Sequence, residues 1–363
     1  MINRIFLFLF AAAVLTKNKH TNIKSYHFLT PSDTTIHYPQ EKHLKNVRQL
    51  TFGGNNAEAY FSPNGKYLIF QSDYAKWGNQ CDQIYLYNLF KIPDLNPKKI
   101  STGLGRTTCA YFMPDNRHVI YASTHAANKD CPPVPERKQG KYVWPIYPDY
   151  DIYLTDIKTG KTIPFITGIG YDAEATVSPD GKKIVFTSDR SGDLELYVCD
   201  IDGKNIKQIT HELGYDGGAF FSPDSKKIVF RASRPKTEQE IKEYKELLAQ
   251  HLVQPTQMEI FTCNVDGSDM QQITHLGKAN WAPFYHPSGK KIIFSSNHAS
   301  SKAFQFNLYM INTDGTGLEK ITYDKVFDSF PMFSPDGKKL VFSSNRNNGG
   351  THDTNLFIAD WVD

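Results

Sequence analysis

The sequence is poor in cysteine, in long apolar runs and in charge of one sign. Five cysteines in 363 residues are too few for a disulfide scaffold, and none are paired at metal-ligand spacing. Lys and Arg number 41 against 38 Asp and Glu, a net charge of +3. That balance gives no reason to expect nucleic acid or an anionic membrane as partner. After the first 15 residues no stretch is long and apolar enough to span a bilayer, so no transmembrane segment is expected. The chain has no G-x-S-x-G elbow, no H-E-x-x-H and no P-loop, which removes the common hydrolase, zincin and nucleotide signatures. Gly103-Leu104-Gly105 and Gly168-Ile169-Gly170 lack the helix start that a phosphate site needs. The stretch from Asp200 opens like a calcium loop, but His211 stands where the last ligand must be a bidentate carboxylate. The stretches from Asn264 and Asn312 fail the same test at His275 and Tyr323.

Aromatic residues are abundant, with 24 Phe, 20 Tyr and 4 Trp, and hydrophobic residues at 40% allow a large core. The first residues read as a delivery label. Arg4 precedes the apolar run Ile5 to Leu15, and Ala11-Ala12-Ala13 fits a small-residue cleavage site. Residues 1–15 are expected to be a cleaved signal peptide, residues 16–46 a linker, and the mature protein periplasmic or secreted.

One phrase recurs: an aromatic-rich strand, a Pro-containing turn and a second apolar strand. It is centred on Pro63, Pro114, Pro179, Pro223, Pro287 and Pro335, 44 to 65 residues apart. Pro fixes φ in the turn, and Asp or Asn followed by Gly tolerates its tight backbone. Each unit continues with a third strand such as ELYVCDI and a fourth such as IKQIT. The sixth unit lacks its fourth strand, and Val47 to Thr51 has the missing pattern. Repeats of this length, each one β unit, predict an all-β, six-bladed propeller with four-stranded blades. It occupies residues 47–363 and is closed by the N-terminal strand pairing with the last blade.

The Ser-Pro-Asp-Gly-Lys-Lys turns followed by Phe-x-Ser-[Asp/Asn]-Arg are clearest in Ser178 to Arg190 and Ser334 to Arg346. They resemble the WD-like repeat of the TolB-like propeller superfamily. The resemblance implies a six-bladed propeller that binds other proteins in the bacterial cell envelope. With only residues 16–46 ahead of the first strand, it points to a propeller-only relative without an N-terminal α/β domain.

The turns at one end are short and uniform, whereas the connections at the other end are longer. Of those, Gln71 to Gln83 is of medium length, and Ser123 to Tyr150 and Ser233 to Met258 are long. The last contains a helix, with Thr237 and Glu240 as capping box and Ile241, Tyr244, Leu248 and Leu252 at helical spacing. Long loops on a rigid scaffold are where binding sites sit, although this helix could equally serve only as cover.

Seven positions before each proline stand Asn56, Thr107, Asp172, Asp216, Asn280 and Asp328, with Glu58 and Glu174 two residues further in. A ring of hard oxygens would suit a divalent cation or a basic peptide group; alternatively each residue caps its own blade connection. No cofactor beyond that weak cation option is expected. The aromatics Trp77, Trp144, Tyr147 and Trp281 join the ring as candidate contacts, since Trp and Tyr are enriched at hot spots.

His125, His211, His275, His298 and His352 fall in long-face loops. They are either solvated or part of a metal site, with His211 and His275 the candidate ligands. Cys199 and Cys263 occupy equivalent third-strand positions as packing residues. Cys81 and Cys131, in neighbouring loops of an exported chain, are expected to form a disulfide. The sequence therefore reads as a non-catalytic binder of an envelope or secreted protein, a peptide segment or a polysaccharide. The alternative is a metal-dependent lyase or hydrolase acting on carbohydrate.

Overall fold

A computed structural model of the chain describes residues 35–134 and 141–363. The expected signal peptide and most of the expected linker lie outside these residues. Six four-stranded antiparallel sheets form the blades, with inner strands at Asn56–Phe61, Thr107–Phe112, Asp172–Val177, Asp216–Phe221, Asn280–Tyr285 and Asp328–Phe333. The fold is the expected six-bladed propeller. Leu44–Gln49 supplies the outer strand of blade 6, with Leu44 opposite Trp361 and Gln49 opposite Phe357. The two ends of the described chain thus share one sheet, and the first strand completes the last blade to four strands.

The repeat phrase explains the blade locally. In blade 3 the Ser178 hydroxyl donates to Asp180 and accepts from the backbone N–H of Lys182 and Lys183. Gly181 takes the positive φ of 70° that a Cβ would disfavour. The turn therefore closes on its own side chains. Strands two and three then pair aromatic against aromatic, as in Phe186 opposite Tyr197, Phe230 opposite Phe261 and Phe342 opposite Phe357.

The arginine that ends the repeat phrase reaches back across its blade. Arg190 donates to both oxygens of Asp172 at 2.6 and 2.8 Å, Arg234 grips Asp216, and Arg346 grips Asp328 at 3.1 and 3.2 Å. Arg346 is 2% exposed and also holds the buried carboxylate of Glu41 at 3.0 and 3.2 Å and the Ile36 carbonyl. The end of the expected linker is therefore packed onto blade 6 through a buried ion cluster that hydrophobic patterning does not reveal.

The long-face helix spans Glu238–Leu248 with the expected capping box. Leu252 is not part of it: Leu252–Val253 pairs as a strand with Trp144–Pro145. Helical spacing extended the pattern one turn too far, because the chain after Leu248 finds backbone partners in the neighbouring loop.

Replacing Arg346 by Met would leave Asp328 and Glu41 buried without their cation. The R346M variant is expected to lose about 3–5 kcal/mol of stability, read as a lower midpoint in guanidinium unfolding.

Candidate binding site in the central channel

Every inner strand carries a bulge, at which the register with its neighbour slips between the second and fifth residues. The residue in the bulge, five before the repeat proline, adopts a left-handed backbone in all six blades: Glu58, Cys109, Glu174, Gly218, Ala282 and Phe330, with φ from 48 to 60°. A bulge re-aims side chains, and these six positions all line one cavity of about 490 Å³ in the channel.

The expected ring two residues earlier is not assembled there. Asn56, Asp172, Asp216, Asn280 and Asp328 are buried in their own blades, 0 to 1% exposed, and do not line the cavity. The three aspartates are taken by arginines as above. The Asn56 amide donates to the carbonyls of Gly53 and Thr354, and that of Asn280 to Met258 and Gly277. Thr107 reaches the cavity while donating to the Asp82 carbonyl. These side chains are bonded to the blade connections, and only Thr107 of the six lines the cavity.

The cavity has a floor and a roof. Its floor is the next side-chain layer, where Tyr60 of blade 1 meets Phe220 of the opposite blade 4 at 5.4 Å between ring centroids. Tyr111 and Phe284 extend this plug at 6.2 and 5.1 Å from Phe220. The channel is thus blocked towards the short-turn face. The roof is the strap Tyr142–Tyr147, held by the Trp144–Pro145 pairing with Leu252–Val253 and by Ile146 N–H donating to the His251 carbonyl at 2.7 Å. Trp144 of the strap meets Trp281 at 4.9 Å between ring centroids, tilted by 51°, and the Trp281 indole N–H donates to the Pro255 carbonyl. Of the expected aromatic contacts, Trp144, Tyr147 and Trp281 line the cavity. Trp77 does not; it packs on Phe70, Tyr74 and Tyr85 within blade 1. A disulfide joins Cys81 to Cys131, tying the blade 1 loop to the loop that leads into the strap.

The charged interior has two closed pairs and one open group. Glu174 accepts from Arg231 at 2.5 Å and from Tyr215, Thr187 and the Gly218 N–H at 2.8 Å each. Burial alone would raise its pKa, but Arg231 and these donors hold it below the ordinary value. Arg231 lies between rings, 5.3 Å from Trp144 and 5.0 Å from Tyr215. Gly217 and Gly218 make the room: a Cβ on Gly218 would sit 1.8 Å from Arg231 Nη1, and one on Gly217 2.4 Å from Glu174 Oε2. Arg106 pairs with Asp82, also on the cavity wall.

Glu58 has no arginine of its own. Its Oε2 is shut off from solvent without a hydrogen-bond partner. Burial pushes its pKa up to about 7; the neighbouring Cys109 thiol opposes this and the charge of Glu174 adds to it.

Sequence reading found Glu58 and Glu174 but missed Arg231, Asp82, Arg106 and Cys109. One signal was available. Arg231 stands in a column of repeat positions otherwise filled by Gln71, Ala122, Thr187, Ser295 and Ser343, opposite a Gly-Gly pair inside a strand.

The histidines divide. His125 and His298 occupy the repeat position that holds arginine in other blades. They sit over Tyr153 and Tyr309 at 4.2 and 4.5 Å, with pKa values lowered by burial. His211 and His275 are exposed and do not line the cavity. Among the described residues, no three His, Cys, Asp or Glu side chains group to hold a metal ion, and no helix is long and apolar enough to cross a membrane.

With this geometry in place, residues 145–247 match the TolB beta propeller domain family. Over 265 residues the chain is 27% identical to an uncharacterized protein of Agrobacterium fabrum, an alignment covering 66% of this chain and 65% of that protein. A solved TolB candidate from Agrobacterium tumefaciens superposes with a TM-score of 0.57 at 22% identity, over 85% of this chain and 91% of that one. TolB from Acinetobacter baumannii gives 0.52 at 18% identity, over 85% of this chain but 64% of its own length. The chain has the six-bladed β-propeller fold, which it shares with these solved structures, and the family match covers residues 145–247.

Glu58 carries a testable sign. Its folded pKa of about 7 lies above the ordinary 4.5, so the cost of burying its charge is absent below the lower value and complete above the higher. The E58Q variant is expected to melt about 5 °C higher than wild type at pH 8 and at nearly the same temperature at pH 4, read by calorimetry.

Proposed function

We propose that this chain is an exported, non-catalytic binding protein of the bacterial envelope or its surroundings, and that it takes its ligand through the long-loop face. The observation that carries the reading is the asymmetry of the channel. It is blocked by packed rings on the short-turn side and ends, towards the long loops, in a cavity walled by Tyr and Trp beneath a strap. Concave, aromatic-rich sites with a few placed charges are the usual form of ligand pockets, and their volumes of roughly 300–1,000 Å³ include this one. The ligand is a segment of an envelope or secreted protein, or of an envelope polysaccharide. Export is supported by the charged and apolar start of the sequence and by the disulfide between Cys81 and Cys131.

The test is capture from an envelope extract with three baits: the full chain, one with residues 236–251 replaced by a Gly-Ser linker, and W144A. The full chain is expected to retain a protein or polymer that both altered baits, folded by circular dichroism, lose. Equal retention by all three, or no retention by the full chain, overturns the reading.

A further inference from the structure

The cavity already contains one buried organic cation, and the way it is held shows what is missing on the opposite side. The Arg231 side chain is 7% exposed, and its guanidinium is stabilised by a carboxylate, Glu174, and by the faces of Trp144 and Tyr215. That is the pattern by which proteins hold desolvated cations. Its carboxylate and guanidinium neutralise each other, and Arg106 and Asp82 do the same. Of the three carboxylates on the cavity wall, Glu58 alone has no cation.

Glu58 stands in the bulge ring between Cys109 and Phe330 and directly above the Tyr60 layer of the floor. The charged and titratable groups acting on it are Cys109, Glu174, Arg231 and Asp82, with Tyr60 beside it. None of these is a free counter-ion. Tyr171, Phe327 and Phe330 add rings to the wall, and ring faces attract cations and repel anions. An anionic ligand would meet Glu58 and two guanidinium groups already neutralised; a neutral one would leave the Glu58 carboxylate buried and unpaired.

We propose that the cavity is a binding site for an alkylammonium group carried by the ligand, with Glu58 as its counter-ion and the surrounding aromatic rings as its wall. The lysine side chain is the form a protein partner supplies. This rests on the reading of the long-loop face as a ligand-binding face. The cavity volume exceeds what an ammonium group alone requires, which leaves room for the body that carries it. Binding is linked to ionisation of Glu58: an alkylammonium stays charged to about pH 10, so its affinity rises as pH climbs through 7 and Glu58 gives up its proton.

The test uses the whole mature chain and small probes of one size: butylamine, butanol and butyrate, with Gly-Lys-Gly as the peptide arm. Binding is followed by quenching of Trp fluorescence and by calorimetry at pH 6 and pH 8. Butylamine is expected to bind roughly tenfold or more tightly than butanol or butyrate at pH 8 and less tightly at pH 6. E58Q is expected to remove that preference, and E58D, which keeps the charge, to restore part of it. A stronger response to Gly-Lys-Gly than to butylamine assigns the ammonium to a peptide; equal responses assign it to a small amine. Equal binding of butanol, binding of butylamine unchanged in E58Q, or no binding of either amine overturns the proposal. The wild-type comparison of butylamine with butanol decides the matter even if E58Q does not fold. Partner capture lost in the loop-replaced bait, with no amine bound, would overturn this proposal and leave the binding face standing.

Discussion

Arg190, Arg234 and Arg346 each cross the head of a blade to reach the aspartate that begins it, and the geometry of the ring follows from that contact. A carboxylate buried at the start of an inner strand would be costly alone. Paired with a guanidinium that also lies on an aromatic ring of the blade, as Arg190 lies 5.2 Å from Phe186, it fixes the blade's second strand to the connection entering from the previous blade. The other three blades meet the same constraint without charge. Asn56, Thr107 and Asn280 replace aspartate where Tyr74, His125 and His298 replace arginine. The two columns change together because a lone charge in either would be stranded.

That coupling explains why the ring of polar residues was visible in the sequence and its purpose was not. Periodicity places Asn56, Glu58 and Tyr60 on one side of a regular strand, and the repeat makes any such column look like a designed ring. The bulge breaks this alternation. It sends the earlier position back into the blade and brings the next one into the channel, and bulges of this kind carry no fixed residue: the six positions hold two Glu, one Cys, one Gly, one Ala and one Phe. The fold was legible because turns, strands and spacing repeat six times. The cavity was legible only in part because its defining residues are those that break the repeat, Arg231 and the glycines facing it above all. Glu41 lies outside any repeat and could be found only through its contact with Arg346.

The channel wall and its cover come from different levels of the sequence. Floor and walls are products of the repeat, since each blade contributes one residue to each layer. The strap belongs to two insertions in blades 2 and 4, whose backbones pair with each other over the opening. A scaffold with near six-fold regularity thereby acquires one unsymmetrical cavity, with Arg231 and Glu174 at one side and Glu58 at the other.

The closing of blade 6 by Leu44–Gln49 against Asn355–Trp361 has a consequence for how the molecule comes into being. Leu44–Gln49 must stay unpaired until Asn355–Trp361, about 300 residues further along, is in place. During that interval five blades can form from neighbouring segments, while the final sheet waits for its two most distant parts. Such a long-range pairing is slow to form and exposes strand edges meanwhile. The ring is therefore closed by its longest-range strand pairing, and the Glu41–Arg346 contact fastens the same two distant segments.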